Sequence, residues 1–96
     1  MPHLKWTGNA LRGVQNAYRF LAEYDAEAAK AAVRAIRKHS LILTGFPEAG
    51  RPANDLDPEH RELVIPFGAS GYVLVYEVVA EDILILAVKH QREAGY

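Results

Sequence analysis

The chain has 96 residues, of which 50% are hydrophobic and 24% charged, and it contains no cysteine. This length and composition predict one globular domain over residues 1–96, and the missing thiols exclude disulfides and thiolate metal sites. The sequence has no apolar run near the ~18 residues of a membrane helix and no secretory signal pattern. We therefore expect a cytoplasmic protein without a membrane contact.

The formal net charge of −1 hides two halves of opposite sign. Residues 1–45 carry seven basic and three acidic groups, whereas residues 46–96 carry four basic and nine acidic groups. A domain that mainly grips a phosphate backbone is expected to be basic overall. The balance of charge therefore disfavours nucleic acid as the principal ligand.

The N-terminal part of the chain predicts a strand followed by a helix. His3–Trp6 is short and extended in character, which is typical of an edge strand. Thr7 is a suitable N-cap, because its hydroxyl can accept a backbone N–H at the start of a helix. Apolar positions then recur every three or four residues, as on the inner face of an amphipathic helix that ends near Tyr24: Ala10, Leu11, Val14, Ala17, Tyr18 and Leu21.

A second helix is predicted to follow at once. Asp25 is its N-cap, and Glu27 lies in the first turn, where a negative charge is favourable. Gly45 and Pro47 close it as cap and stop, so we expect one long helix up to this point. Its inner face is marked by Ala29, Ala32, Val33, Ile36 and Leu43. Because the joint between the helices is so short, they form an antiparallel hairpin.

The second half of the chain predicts a loop and three strands. Residues 46–60 contain three prolines and no periodicity, which indicates a structured surface loop tethered by Phe46 and Leu56. Runs rich in Val, Ile, Leu, Tyr and Phe, with joints too short for parallel crossovers, follow at residues 62–67, 72–79 and 83–88. We expect an α+β fold of order β-α-α-β-β-β, in which the helical hairpin packs on one face of a small, mainly antiparallel sheet.

The predicted strands are apolar on both faces. In the middle strand, alternate residues from Tyr72 to Val79 point to opposite sides, and both sets are mostly apolar. The last strand is predicted to alternate without interruption from Ile83 to Val88. A sheet with one wet face would show polar residues on that side. The helices can cover one face, and we expect a partner to cover the other.

The four histidines do not predict a metal or cofactor site. His3, His39, His60 and His90 are scattered without the spacing of metal ligands, and the sequence has no phosphate loop or dinucleotide fingerprint. We expect neither a metal nor a cofactor.

Basic residues recur at helical spacing on the predicted second helix. Lys30, Arg34, Arg37 and Lys38 form a stripe beside Arg12 and Arg19 of the first helix. A solvated helix face explains this pattern best, while a nucleic-acid contact and an acidic partner segment are the alternatives. Strong salt dependence of complex formation would indicate the acidic partner.

A further group of residues has the chemistry of RNA cleavage. A histidine that acts as general acid or base, beside an arginine that stabilises phosphate charge, suits that reaction. Structural roles explain the same residues: an ion pair of Arg61 with Asp57, sheet packing of Tyr76, and an exposed strand end for His90. The candidates for catalysis are Arg51, Arg61, His90, Arg92 and Tyr96.

Several short motifs occur in a fixed order along the chain. They are the strand with Trp6, the hairpin with Ala28-Ala29, the turn Pro47-x-x-Gly50-Arg51, the strand start Arg61-Glu62-Leu63, the pair Tyr72-x-x-x-Tyr76, and the ending Ile85-Leu86-Ala87-Val88-Lys89-His90-Gln91-Arg92-Glu93. In this order and spacing, residues 4–96 resemble the RelE/ParE superfamily of bacterial type II toxins, the plasmid-stabilisation toxins. The resemblance implies a toxin that a cognate antitoxin neutralises in a hetero-oligomeric complex.

Two activities occur within that superfamily. RelE-like toxins cut mRNA on the ribosome without a metal, typically with an arginine directly after the position of Tyr72, where this chain has Val73. Valine cannot stabilise a developing phosphate charge, so the resemblance is closer to ParE-like toxins, which inhibit DNA gyrase by binding it. The sequence therefore favours a binding protein over an enzyme. A ribosome-dependent endoribonuclease and a degenerate homologue that only binds antitoxin are the alternatives.

The resemblance also guides expectations for the contact residues. We expect the target to be bound by His90, Arg92 and Tyr96 at the C-terminal end. We expect the antitoxin to contact Trp6, Leu11, Tyr18, Arg34, Val73, Val75, Leu84 and Leu86.

Overall fold

The structure is a computed structural model that describes residues 3–53, 55 and 57–93. In chain order its elements are β1 (His3–Trp6), α1 (Gly8–Ala22), α2 (Ala26–Ser40), α3 (Ile42–Gly45), β2 (Arg51–Pro52), β3 (His60–Phe67), β4 (Ser70–Val79) and β5 (Asp82–His90). Within the described residues the strands form one five-stranded sheet of order β1-β5-β4-β3-β2. The helical hairpin lies on one face of this sheet, which confirms the predicted α+β architecture.

The pairing of the strands follows from the lengths of their connections. β3, β4 and β5 are joined by tight turns and pair antiparallel, as predicted. Gly68 adopts a positive φ of 61° in the first of these turns, a conformation that glycine adopts without strain. β1 is separated from β5 by most of the chain and pairs with it in parallel at the edge of the sheet.

The two predicted helix starts are confirmed. The Thr7 hydroxyl accepts the N–H of Ala10, and a carboxylate oxygen of Asp25 accepts the N–H groups of Glu27 and Ala28. These bonds satisfy donors that have no partner inside the helix.

The prediction of one long second helix is wrong at its end. α2 stops at Ser40, whose hydroxyl donates a hydrogen bond to the carbonyl of Arg37. Serine and threonine hydroxyls compete in this way with the backbone bonds of a helix. A separate short turn, α3, follows the break and places Leu43 in the core.

The predicted loop between the helices and the sheet contains a strand that the sequence did not reveal. Arg51 and Pro52 form β2, which pairs antiparallel with Glu62 and Arg61 of β3. Leu56, one of the two predicted tethers of this loop, lies outside the described residues. The other, Phe46, is 67% exposed.

The prediction of unbroken alternation in the last strand is also wrong. The pairing shifts between Val75 and Tyr76, so that Leu86 of β5 has no partner in register on β4. An extra residue of this kind is a β-bulge, and it reverses which side chains point to each face. Ile83 and Ile85 therefore share the core face with Val88 rather than opposing it.

The core lies between the hairpin and the covered face of the sheet. Ala10 of α1 and Ile36 of α2 contribute from the helices, and the small side chain of Ala32 lets the helices approach the sheet closely. The strands contribute Ile65, Tyr72, Leu74, Tyr76, Ile83, Ile85 and Val88. Leu4 and Trp6 of β1 pack at the margin of this core.

The second face of the sheet, opposite the helices, exposes less apolar surface than the sequence predicts. Val73 lies on this face and exposes none of its surface, whereas Val64 and Val79 are exposed. Ion pairs also occur there, between Lys5 and Asp82 at 3.0 Å and between Arg51 and Glu62 at 2.9 Å. The expectation that a partner covers the apolar residues of this face is therefore wrong at Val73, which the chain itself already buries.

Candidate functional site

A groove of about 600 Å³ lies between α1 and the end of the sheet where β4 begins and β5 finishes. Its walls combine apolar surface with a few polar groups, which is the usual character of a binding site. The residues that line it are Gly13, Asn16, Ala17 and Phe20 from α1, and Ser70, Tyr72, Val88, His90, Arg92 and Glu93 from the sheet and the turn after it.

Close packing of α1 on β5 forms the inner end of this groove. A Cβ atom on Gly13 would lie only 2.3 Å from the carbonyl oxygen of Val88, so no larger residue fits without displacing the helix. The start of α1 is also bonded to the bulge in β5. The Thr7 hydroxyl donates to the carbonyl of Ile85 at 2.7 Å, and the Asn9 amide donates to that of Leu86 at 2.9 Å.

His90 forms the opposite wall and is held in one orientation. Its ring packs edge-on against Tyr72, with the ring centres 5.7 Å apart and the planes at 85°. Its Nδ1 atom accepts the backbone N–H of Arg92 at 3.2 Å, so in the neutral ring the proton lies on Nε2. The His90 backbone N–H donates to a carboxylate oxygen of Glu93 at 3.2 Å. These two hydrogen bonds fix the turn after β5. The exposed side chain of Arg92, which belongs to this turn, lies beside the groove.

Tyr72 forms the floor of the groove. Burial raises the pKa of its hydroxyl, which keeps the phenol neutral. The ring also lies 6.1 Å, centre to centre, from that of Phe67. This end of β4 therefore offers aromatic surface, one imidazole and one guanidinium.

A second polar cluster lies at the other end of β4, around Tyr76. The Tyr76 hydroxyl donates to the carbonyl of Pro47 at 2.8 Å and accepts the N–H of Gly50 at 2.9 Å. Arg61 donates from Nη1 to the carbonyl of Gly50 at 2.9 Å. The structural alternative for Arg61, an ion pair with a loop acid such as Asp57, is therefore wrong in its partner, because Arg61 instead holds the loop backbone. This cluster fixes the loop between α3 and β2 to the sheet.

The comparisons with known proteins agree with this architecture. The family model described as the ParE toxin of type II toxin-antitoxin systems, parDE, matches residues 4–95. The chain belongs to the ParE toxin family. No curated protein matches its sequence.

Two solved structures share the ParE-like fold of this chain. The first is described as the chromosomal ParDE TA system from P. aeruginosa, with a TM-score of 0.77 and 22% identity over 94% of this chain and 96% of that one. The second is the intact E. coli RelBE toxin-antitoxin complex, with a TM-score of 0.58 and 20% identity over 93% of this chain and 95% of that one. At these identities the likeness establishes the fold, and the RelE/ParE resemblance read from the sequence is confirmed.

The five residues predicted for catalysis in this ParE-family chain do not form one site. His90 and Arg92 lie together beside Tyr72, whereas Arg51 and Arg61 lie at the Tyr76 end of β4. Since each strand residue advances the chain by about 3.4 Å, four residues separate these ends by roughly 14 Å. Arg51 also pairs with Glu62 at 2.9 Å. Tyr96 lies outside the described residues.

The residues predicted to contact an antitoxin differ widely in exposure. Leu11 and Tyr18 are 50% and 38% exposed on α1, and Arg34 is exposed on α2. Val73 exposes no surface, so it cannot touch a partner in this conformation. The remaining predicted contacts are partly buried: Trp6, Val75, Leu84 and Leu86. Apart from Val73, these contacts stay predictions.

The sequence reasoning missed the helix side of the groove. Phe20 is 66% exposed and packs edge-on against Tyr24, which lies in the turn after α1. Both lie outside the apolar spacing that marks the inner face, and a large aromatic residue on the outer face is the signal that could have identified them. Gly13 in mid-helix was a second signal, because it indicates a close approach.

Within residues 3–53, 55 and 57–93, no cluster of three or more histidine or acidic side chains could hold a metal ion. In the same part of the chain, no helix is long and apolar enough to cross a membrane.

Proposed function

We propose that this ParE-family chain is a cytoplasmic toxin that inhibits DNA gyrase by binding it, and that a cognate antitoxin silences it. Val73 is the observation that carries the binding mechanism. It occupies the position after Tyr72 where an mRNA-cleaving member of the superfamily would be expected to have an arginine. Its side chain has no hydrogen-bond donor and no exposed surface. It cannot stabilise charge on a phosphate, so a hydrolytic mechanism would lack a principal group.

The positions of the other basic residues support the same proposal. Arg61 is bonded to the Gly50 carbonyl and Arg51 is paired with Glu62, so both arginines hold the loop in place. This leaves His90 and Arg92 at the groove. One imidazole and one guanidinium next to aromatic surface suit a protein contact, for which arginine and aromatic residues are favoured.

An antitoxin would supply the cover for the exposed apolar surface of α1. Leu11 and Tyr18 lie two turns apart on one side of this helix, and Phe20 lies on the side that faces the groove. A stable interface buries about 1,600 Å² in total, which exceeds what one helix face offers. We therefore expect the antitoxin to extend from α1 across the neighbouring sheet, forming a toxin-antitoxin hetero-oligomer.

The target can be tested by expressing the chain without its antitoxin. Gyrase supercoiling in vitro and primer extension on translated mRNA are then measured with the same preparation. We expect loss of supercoiling and uncut mRNA. Cuts that follow the codon period, together with normal supercoiling, would instead establish the ribosome-dependent endoribonuclease. The absence of any growth defect would indicate a degenerate homologue that retains only antitoxin binding.

The contact residues can be tested with Arg92→Ala and His90→Ala. Both variants should lose gyrase inhibition, because they remove groups displayed beside the groove, while antitoxin affinity changes by less than about threefold. Arg37→Ala is the matched control, since it removes an exposed arginine from α2, away from the groove. If Arg92→Ala lost antitoxin affinity and inhibition together, the turn after β5 would be a structural element and not a target contact.

A further inference from the structure

The histidine at the start of β3 is held between two aspartates of the connection that precedes this strand. His60 is the first residue of β3. Its Nδ1 atom lies 2.9 Å from a carboxylate oxygen of Asp55, and its Nε2 atom lies 3.2 Å from one of Asp57. Backbone N–H groups hold the carboxylates in place, because Asp57 donates to Asp55 at 3.0 Å and Glu59 donates to Asp57 at 2.9 Å.

This geometry favours the protonated form of the ring. An ionised carboxylate only accepts hydrogen bonds, so Nδ1, which is hydrogen-bonded to Asp55, carries the proton of that bond. A neutral imidazole has a single N–H and can satisfy only one of the two aspartates. Because Nδ1 donates to Asp55 and Nε2 lies 3.2 Å from a carboxylate oxygen of Asp57, the imidazolium is the form of the ring that both carboxylates stabilise.

The charges around the ring favour the same state. The hydrogen bond from Asp55 is the main cause that raises the pKa of His60 above its ordinary 6.5, burial opposes it, and the charges of Asp57 and Glu77 add to it. Glu77 faces His60 across the β3–β4 pair. The same hydrogen bond is the main cause that lowers the pKa of Asp55 below 3.8, and the charge of Lys89 on β5 contributes.

We propose that His60 is a protonation-dependent clamp, which holds Asp55 and Asp57 against the start of β3 while its ring carries two protons and releases them when it loses one. This inference does not depend on the proposed target. The clamp adjoins the second face of the sheet, because Glu77, which pairs in register with His60, lies on the same face of β4 as Val73. Opening the clamp would loosen the chain beside that face.

The pH window follows from the two pKa directions. The pKa of His60 is raised, so its contribution to stability is complete below 6.5 and is lost as pH rises through the higher value in the folded protein. The pKa of Asp55 is lowered, so its contribution is present above 3.8 and is lost as pH falls through its value in the folded protein. The clamp is therefore closed in mildly acidic solution and opens towards alkaline pH.

NMR of the histidine ring nitrogens across this pH range tests the clamp on the full chain. We expect His60 to be doubly protonated in mildly acidic solution, with a pKa above 6.5 that falls in Asp55→Asn and in Asp57→Asn. Glu59→Gln is the matched control, because it removes a neighbouring carboxylate whose side chain has no described bond to His60. A ring that carries one proton in mildly acidic solution, or a pKa that neither asparagine variant lowers, would overturn the proposal.

Hydrogen exchange gives a second measurement that needs no titration of the ring itself. The amides of Glu59 and His60 should be protected while the clamp is closed and should lose protection, relative to intrinsic exchange, as pH rises. In His60→Gln they should be unprotected at every pH, since a neutral amide carries no positive charge to pair with the two aspartates. Protection that does not change with pH in the wild-type chain would contradict the clamp, even if the glutamine variant failed to fold.

Discussion

Each end of β4 has a tyrosine on the face that packs against the helices, and the two tyrosines have different surroundings. Tyr76 exposes none of its surface, and its hydroxyl both donates and accepts a hydrogen bond. Tyr72 is nearly as buried, but its hydroxyl makes no hydrogen bond to another described residue, and its ring forms the floor of the groove beside His90. Burial alone therefore does not distinguish a structural tyrosine from one that lines the candidate groove. What distinguishes them is whether the polar atom is satisfied within the fold.

Because of this difference, we expect substitutions at the two ends of β4 to have different effects. At the Tyr76 end, backbone and side chains satisfy one another, so a substitution there should cost stability. At the Tyr72 end, aromatic surface and two polar side chains face an open groove, so a substitution there should cost binding and leave the free energy of unfolding nearly unchanged.

Gly50→Ala should have the largest effect on stability. A Cβ atom at this position would lie 2.7 Å from the Glu62 carbonyl oxygen and equally close to the ring and hydroxyl of Tyr76. Neither neighbour can retreat without breaking a hydrogen bond, so we expect a loss of about 3 kcal/mol in urea unfolding. Gly45→Ala is the control, because nothing lies within 4 Å of its added methyl group. Equal stabilities of the two variants would mean that the Tyr76 cluster does not fix the loop.

Tyr76→Phe and Tyr72→Phe compare the two ends directly. Removing the Tyr76 hydroxyl leaves the Gly50 N–H and the Pro47 carbonyl without their partner, which should cost about 2 kcal/mol of unfolding free energy. Removing the Tyr72 hydroxyl should cost less than about 0.5 kcal/mol, since no described group loses a bond. Urea unfolding of both variants at one pH measures the difference, and equal losses would refute the distinction between the ends.

The local features of this fold could be read from the sequence. Thr7 and Asp25 were identified as caps because the pattern that makes a cap lies within three or four residues. The strands were identified because their composition and short joints are also local. These signals were sufficient for the α+β architecture and its order.

The features that the sequence did not reveal depend on contacts between distant residues. The bulge at Leu86 lies where β5 pairs with β4 and also bonds the start of α1, through Thr7 and Asn9. Its effect, which moves Val88 to the core face, follows from pairing register and not from composition. The bond of Tyr76 to Gly50 spans 26 residues. The separation of Arg61 from His90 likewise required the register of β3 and β5 on β4.

Phe20→Ala should have the smallest effect on stability and tests the groove from the helix side. The Phe20 ring is 66% exposed, so its removal should change the free energy of unfolding by less than about 0.5 kcal/mol. A partner that seats in the groove would bury this ring, and its loss should then weaken binding by tenfold or more. Calorimetric titration with the antitoxin and with gyrase, alongside urea unfolding, separates the two effects. Leu41→Ala, which removes a similarly exposed side chain at the far end of α2, should change neither quantity. If Phe20→Ala bound both partners normally, the groove would not be a binding site, and the open end of β4 would have no function that its exposure explains.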